Sequence, residues 1–257
     1  MEPDTPNFDS VARAYRWMEY FSFGRMLERC RFHFLMRCSL ARHALVLGDG
    51  DGRFTARLLA ANPMVQVDAV DASTAMLAVL RGRVRQSCQN ADTRLQTIQA
   101  DLRRFTPTGN DYDLVISHFF LDCLTDGDVR ALIERLSPRL TQDAIWLVSE
   151  FAVPEKGWRR FGARMVIRSL YYAFFVLTGL RVRHLPNYTK AFDDNGFHLV
   201  EKAAYLGGML IAEAWERRSN EHFCSLGSSH CYNFACSRGQ LPRHPCATHL
   251  CFQHPSL

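Results

Sequence analysis

Lysine is almost missing from this chain. Of 31 basic residues only Lys156, Lys190 and Lys202 are lysines, and the arginines are scattered among 26 acids. The formal net charge of +5 therefore reflects compositional bias rather than a basic stripe, and no nucleic-acid partner is expected. Long apolar runs are missing too. The longest, Tyr171 to Leu180, holds 10 residues, against the ~20 needed to cross a bilayer. The opening Met1-Glu2-Pro3-Asp4 lacks the basic and apolar segments of a secretory signal, so the expected compartment is cytoplasmic. No C-x-x-C occurs. Five of the nine cysteines fall in the last 34 residues, at spacings that match no familiar zinc pattern. The other four are isolated and read as small buried hydrophobes, so disulfides are not expected.

What is present suffices for one sizeable core with appendages, at 257 residues and 47% hydrophobic. Residues 8 to 36 read as helical and aromatic-rich. Leu45 to Leu47 reads as a buried strand, Phe54 to Ala61 as a helix, and Val65 to Val70 as a second strand. Ser73 is placed to cap a helix bearing Met76, Leu77 and Leu80. Thr93 to Gln99 and Tyr112 to Ser117 are read as further strands. Asp126 opens a helix whose Val129, Leu132, Ile133 and Leu136 follow the 3.6-residue period, and Ile145 to Phe151 is the fifth strand. This alternation calls for a doubly wound, mostly parallel α/β sheet. An arginine-rich aromatic insertion, 156–185, interrupts it. A short helix over Asn187 to Asn195 follows, then a strand from Phe197 to Leu206. Gly207-Gly208 then reads as a two-residue hairpin turn before a returning strand, Met209 to Trp215. Residues 219–257 carry three charged side chains and no legible period, and are expected to be a tail outside the domain.

The chemistry is concentrated after the first strand, at Gly48-Asp49-Gly50-Asp51-Gly52. Alternate glycines let the backbone turn sharply and approach a ligand closely. Nineteen residues past Gly52, Asp71 ends the second strand, where a carboxylate can accept both hydroxyls of a ribose. The dinucleotide pattern G-x-G-x-x-G fails in both registers, because its third glycine would fall at Arg53 or Thr55. An NAD-dependent oxidoreductase is thereby disfavoured. Each residue also has a plain structural reading. Asp71 is otherwise a helix-capping acid, Asp101 a turn residue, His118 a core histidine, Tyr15 packing, and Asp49 and Asp51 loop solvation.

The G-x-G-x-G loop with its strand-end acid resembles the class I S-adenosylmethionine (SAM) methyltransferases, over roughly residues 8 to 216. Phe8-Asp9-Ser10-Val11-Ala12-Arg13-Ala14-Tyr15 is similar to the F-D-x-V-A-x-x-Y opening of the ubiquinone/menaquinone C-methyltransferase-like branch. Val70-Asp71-Ala72-Ser73-Thr74-Ala75-Met76-Leu77 is similar to that branch's V-D-x-S-x-x-M-L. The resemblance implies a Rossmann-like seven-stranded sheet with its last strand reversed, and SAM as cofactor. It implies an N-terminal helical lid (1–40) carrying Tyr15, a SAM-binding domain (41–218) with 156–185 as a substrate cap, and the tail. Gly48, Asp49, Gly50, Gly52, Asp71, Ala72, Met76, Asp101, Leu102 and Ser117 would contact the cofactor. Asp71 would hold the ribose, Met76 would pack near the adenine, and Asp101 would accept from its amino group. His118, beside the meeting point of substrate and sulfonium, is the candidate base, oriented by Asp122 if the turn between them folds back. No metal is implied.

Two positions depart from the family pattern. Val46 stands where an acid usually precedes the first glycine, with Asp49 and Asp51 as candidates to replace its charge. His118-Phe119-Phe120-Leu121-Asp122 stands where quinone enzymes carry G-x-R-N, so quinone specificity is not supported. The expected acceptor is a small or medium-sized, partly apolar molecule. Trp158, Phe161, Tyr171, Tyr172, Phe174 and Phe175 of the insertion would wall its pocket, and the nearby arginines would meet a carboxylate or a peripheral membrane surface. The alternative is a catalytically silent SAM-fold binding module. Oligomeric state is not legible.

Overall fold

The computed structural model describes residues 24–154, 165 and 185–217, all within the unit Met1–Ser219. Tyr15, the opening helix before residue 24, nearly all of the insertion and the tail lie outside the described residues.

Buried β-branched and leucine runs make the central strands. β1 (His43–Leu47) and β4 (Tyr112–His118) are buried on both faces over most of their length, as parallel strands covered on both sides are. Around them lie β2 (Gln66–Asp71), β3 (Leu95–Gln99), β5 (Leu140–Phe151), β6 (Phe197–Tyr205) and β7 (Leu210–Arg217), in the order β3-β2-β1-β4-β5-β7-β6. The pairs β1–β2, β1–β4, β2–β3 and β4–β5 are parallel. Strand β7 runs antiparallel to both β5 and β6, which is the reversed strand expected from the sequence.

Successive side chains on each strand feed opposite cores. Ala44, Val46, Leu114, Ile116 and Leu147 join α1 (Arg25–Arg31), α2 (Arg53–Ala61) and α3 (Thr74–Ser87) on one face. Leu45, Leu47, Val115, Trp146 and Val148 join α4 (Asp126–Leu136) and α5 (Thr189–Asp194) on the other. There the Phe192 ring stacks on Trp215 at 4.7 Å and meets Trp146 edge-on at 5.0 Å. Each such fully buried side chain contributes roughly 1.5–3 kcal/mol from removal of apolar surface from water. Helix ends are capped locally. Ser73 Oγ accepts the Met76 amide at 3.2 Å, and Thr125 with Asp128 closes a capping box on α4.

Several boundaries differ from the sequence reading. Within the stretch read as helical, 8–36, the described part is not one helix: α1 stops at Arg31, and a 3-10 turn spans Leu35–Leu40. Thr93 and Arg94 belong to a helical turn, Ala91–Arg94, in which Thr93 Oγ1 donates to the Asn90 carbonyl, so β3 begins at Leu95. β5 starts five residues early, at Leu140, because Tyr112 of β4 still pairs there. α5 begins at Thr189 rather than Asn187, whose amide instead donates to the Asp126 carboxylate. The β6–β7 hairpin is not closed by two residues. Tyr205 pairs with Leu210, so Leu206–Met209 form a four-residue loop with positive φ at Leu206, Gly207 and Gly208. Among the described residues no helix is long and apolar enough to cross a membrane.

Candidate functional site

The carboxyl ends of β1, β2, β4 and β5 bring the sequence-predicted residues to one edge of the sheet. The glycine loop leaves β1, with the Gly48 amide bonded to the Val70 carbonyl at 2.9 Å. Its three glycines have three different neighbours. A Cβ on Gly52 would lie 2.8 Å from the Leu80 Cα, so this glycine lets α2 pack against α3. A Cβ on Gly48 would lie 2.5 Å from Cδ2 of Phe120, whose ring covers that position. Gly50 has φ +58 and nothing within 4 Å of its Cβ position. The middle of the loop thus offers bare backbone to open space, in a conformation that disfavours any side chain.

The two loop acids differ in role. Asp49 is buried, and its Oδ2 accepts both the amide and the hydroxyl of Thr55 at 2.8 Å each. It therefore caps the first turn of α2 from outside the helix, while its Oδ1 has no hydrogen-bond partner. Burial raises its pKa, offset in part by the charge of Arg31 and by the Thr55 bonds. Asp51 is instead engaged by Arg53 at 3.1 Å and Arg83 at 2.9 Å, tying α2 to α3.

Asp71 ends β2 beside this loop. Its Oδ1 accepts the Ser73 amide at 2.9 Å, and its carbonyl receives the Ala100 amide at 3.1 Å, which brings Ala100-Asp101-Leu102 alongside. Burial raises the carboxyl to about 6, against the pull of the Ser73, Gly50 and Ala72 amides. Ala72 is exposed and Met76 half-buried next to it. Asp101 is held by its own neighbour: Arg103 grips both carboxylate oxygens at 2.7–3.0 Å, and this pairing lowers its pKa. Leu102 packs in the core, its carbonyl bonded to Arg135.

Two residues of β4 turn away from the edge. Ser117 is fully buried and its Oγ accepts the Trp146 indole N–H at 2.9 Å. The His118 ring packs edge-on against Phe54 at 4.5 Å, on the α1–α2 face. Neither His118 nitrogen has a hydrogen-bond partner. Asp122 therefore does not orient His118, contrary to the sequence reading. The residues leaving β4 pass through Phe119 at φ 53, and the turn that follows is tied to β5 through the Phe120 and Leu121 amides. Burial, then the charge of Arg31, holds the imidazole well below its usual pKa, so it is neutral and weakly basic.

Sequence reasoning missed Phe120 and Glu150. Glu150 is buried in β5 and its Oε1 accepts the amides of Phe120 at 3.0 Å and Leu121 at 2.7 Å, shaping the turn after β4. An acid inside the buried stretch Leu147-Val148-Ser149-Glu150 was the available signal.

Residues 45–146 match the methyltransferase domain family, and no curated protein matches the chain in sequence. Among solved structures, a SAM-dependent methyltransferase, SibL, in its apo form aligns at 18% identity and TM-score 0.61, over 84% of this chain and 63% of that one. An O-methyltransferase family protein from Burkholderia thailandensis aligns at 18% and 0.59, over 86% and 66%. The fold is that of the SAM methyltransferases. The N-methyltransferase NodS from Bradyrhizobium japonicum, in complex with S-adenosyl-L-homocysteine (SAH), aligns at 16% and 0.52, over 81% of this chain and 99% of that one. The chain spans less than two thirds of the length of the first two structures. The ubiquinone-type branch finds no support in these likenesses.

Proposed function

We propose that this protein is a SAM-dependent methyltransferase acting on a small or medium-sized, partly apolar acceptor. The observation that carries the reading is Gly50. Its bare backbone faces open space in the loop between β1 and α2, with the Asp71 carboxyl ending the neighbouring strand. That arrangement fits a nucleoside whose ribose hydroxyls donate to Asp71 while its chain lies along the loop. SAM supplies a methyl carbon activated by positive sulfur with a neutral leaving group, so strong electrophilic assistance is unnecessary. The chain's task is alignment, which is worth up to roughly 7–11 kcal/mol in well-oriented reactions.

In this reading Asp71 fixes the ribose, Gly48 and Gly50 give the backbone approach, and Asp101 reaches the adenine amino group after Arg103 moves aside. Asp49 supplies the negative charge that Val46 does not. His118, whose pKa burial holds well below its usual value, is a weak base for a proton from an acceptor. A silent binding module is the second reading, favoured by Val46 and by that weakly basic imidazole. Thermal shift with SAM, SAH and NADH tests the cofactor: stabilisation by about 2.7 kcal/mol is expected at ~100-fold excess over Kd for SAM and SAH but not NADH. Incubating the protein with methyl-labelled SAM and a whole-cell lysate then separates the readings. Label in organic-extractable small molecules supports transfer to the proposed acceptor class. Label in RNA or protein contradicts that class, and binding without transfer supports the silent module.

A further inference from the structure

Two consecutive residues of β5 hold three consecutive amides of the chain leaving β4. The Ser149 carbonyl accepts the Phe119 amide at 2.6 Å, and Glu150 Oε1 accepts those of Phe120 at 3.0 Å and Leu121 at 2.7 Å. A short 3-10 turn, Leu121–Cys123, follows and closes on the Phe120 carbonyl through the Cys123 amide at 3.0 Å. The side chains part at this point. The Phe119 ring meets Phe151 at 5.4 Å and joins the core on the α1–α3 face. Phe120 packs against the opposite core and stays half-buried.

Strands β1 and β4 are neighbours, with Leu47 opposite Ser117, so the glycine loop and this turn leave the sheet side by side. Their contact is direct. The place a Gly48 Cβ would take lies 2.5 Å from Cδ2 and 3.3 Å from Cβ of Phe120. The ring thus bounds the loop at its first glycine, whereas Gly50 stays open. A half-buried aromatic beside bare backbone offers a large apolar face to a molecule lying along that loop.

Glu150 is a costly residue with which to hold a turn. It is 2% exposed, and a buried carboxyl gives up hydration that two amides replace only in part. What its oxygen supplies is one acceptor that reaches two successive amides, and this fixes the direction in which the Phe120 ring leaves the backbone.

We propose that Phe120 is a wall of the cofactor site and that Glu150 is the residue that positions it. Glu150 sets the turn, the turn sets the ring, and the ring bounds the space over Gly48 along which the amino-acid chain of SAM lies. The inference rests on the SAM reading. SAM and SAH share that chain, so both depend on the ring.

Isothermal titration calorimetry with SAM and SAH tests this, with circular dichroism melts to report folding. Phe120→Ala should stay folded and weaken both nucleosides by about tenfold. Glu150→Met fills a similar volume without an acceptor and should weaken both by a comparable factor. Glu150→Gln, whose oxygen still accepts both amides, should bind them nearly as the wild type does. The double variant Phe120→Ala/Glu150→Met should bind no worse than Phe120→Ala, because Glu150 acts through the ring; a glutamate that only supports the fold gives additive losses. If Glu150→Met does not fold, Glu150→Asp replaces it: it keeps the charge, sets the oxygen back by one methylene, and should lose affinity in the same non-additive way. Wild-type affinity for both nucleosides in Phe120→Ala overturns the wall. Losses at Glu150 that are absent, or that add to those of Phe120→Ala, overturn the positioning. Either result leaves the cofactor reading standing, whereas a wild type that binds neither nucleoside overturns both.

Discussion

Asp49 holds Thr55 twice through one oxygen, accepting its amide and its hydroxyl at 2.8 Å each. A loop residue thereby fixes the first turn of the helix it precedes, and the angle at which the glycines leave β1 follows from that bond pair. Asp49→Ala should destabilise the protein by about 1–3 kcal/mol, the cost of losing a helix-capping acceptor with a buried partner. Asp49→Asn, which keeps an acceptor oxygen, should cost less. Urea unfolding of both variants checks the order.

The ligand-free protein should lose stability as pH rises. Asp71 is raised from 3.8 to about 6 in the fold, so the native state binds the proton more tightly than the unfolded chain. The stability this confers is present at low pH and disappears between about pH 4 and 6, above which the ionised carboxyl is buried at a cost of roughly 3 kcal/mol. Glu150, raised well above its usual value, should extend the decline to higher pH. Melting temperatures across this range should fall more gently in Asp71→Asn than in the wild type.

Gly50 and Gly52 should respond oppositely to a side chain. Gly50→Val meets no neighbour within 4 Å, so it should keep the fold apart from a backbone strain of about 1–2 kcal/mol and abolish SAM binding. Gly52→Val drives a Cβ to 2.8 Å from the Leu80 Cα and should unfold the α2–α3 side of the sheet. Circular dichroism melts paired with SAM calorimetry separate the two effects.

The parts legible in sequence were those set by local spacing. The strand-loop-helix at Gly48, Gly50 and Gly52, the acid at Asp71 and the apolar stripe of α4 are each written within a few residues of chain. So is the Ser73 cap. Glu150 was not legible, because its role lies in bonding amides 29 and 30 residues away. Phe120 likewise becomes part of the loop only by resting on Gly48. His118 was placed at the right strand end, and its face follows from strand alternation, on the side of Leu114 and Ile116. Arg103, which closes over Asp101, lies only two positions away and was within reach of local reasoning.

Asp71 carries the central claim, and calorimetry of SAM binding to wild type and Asp71→Ala tests it most directly. Measurable binding to the wild type is expected, with a loss of about 2–4 kcal/mol in the variant as two charge-assisted ribose hydrogen bonds disappear. SAM affinity unchanged by the substitution would contradict it.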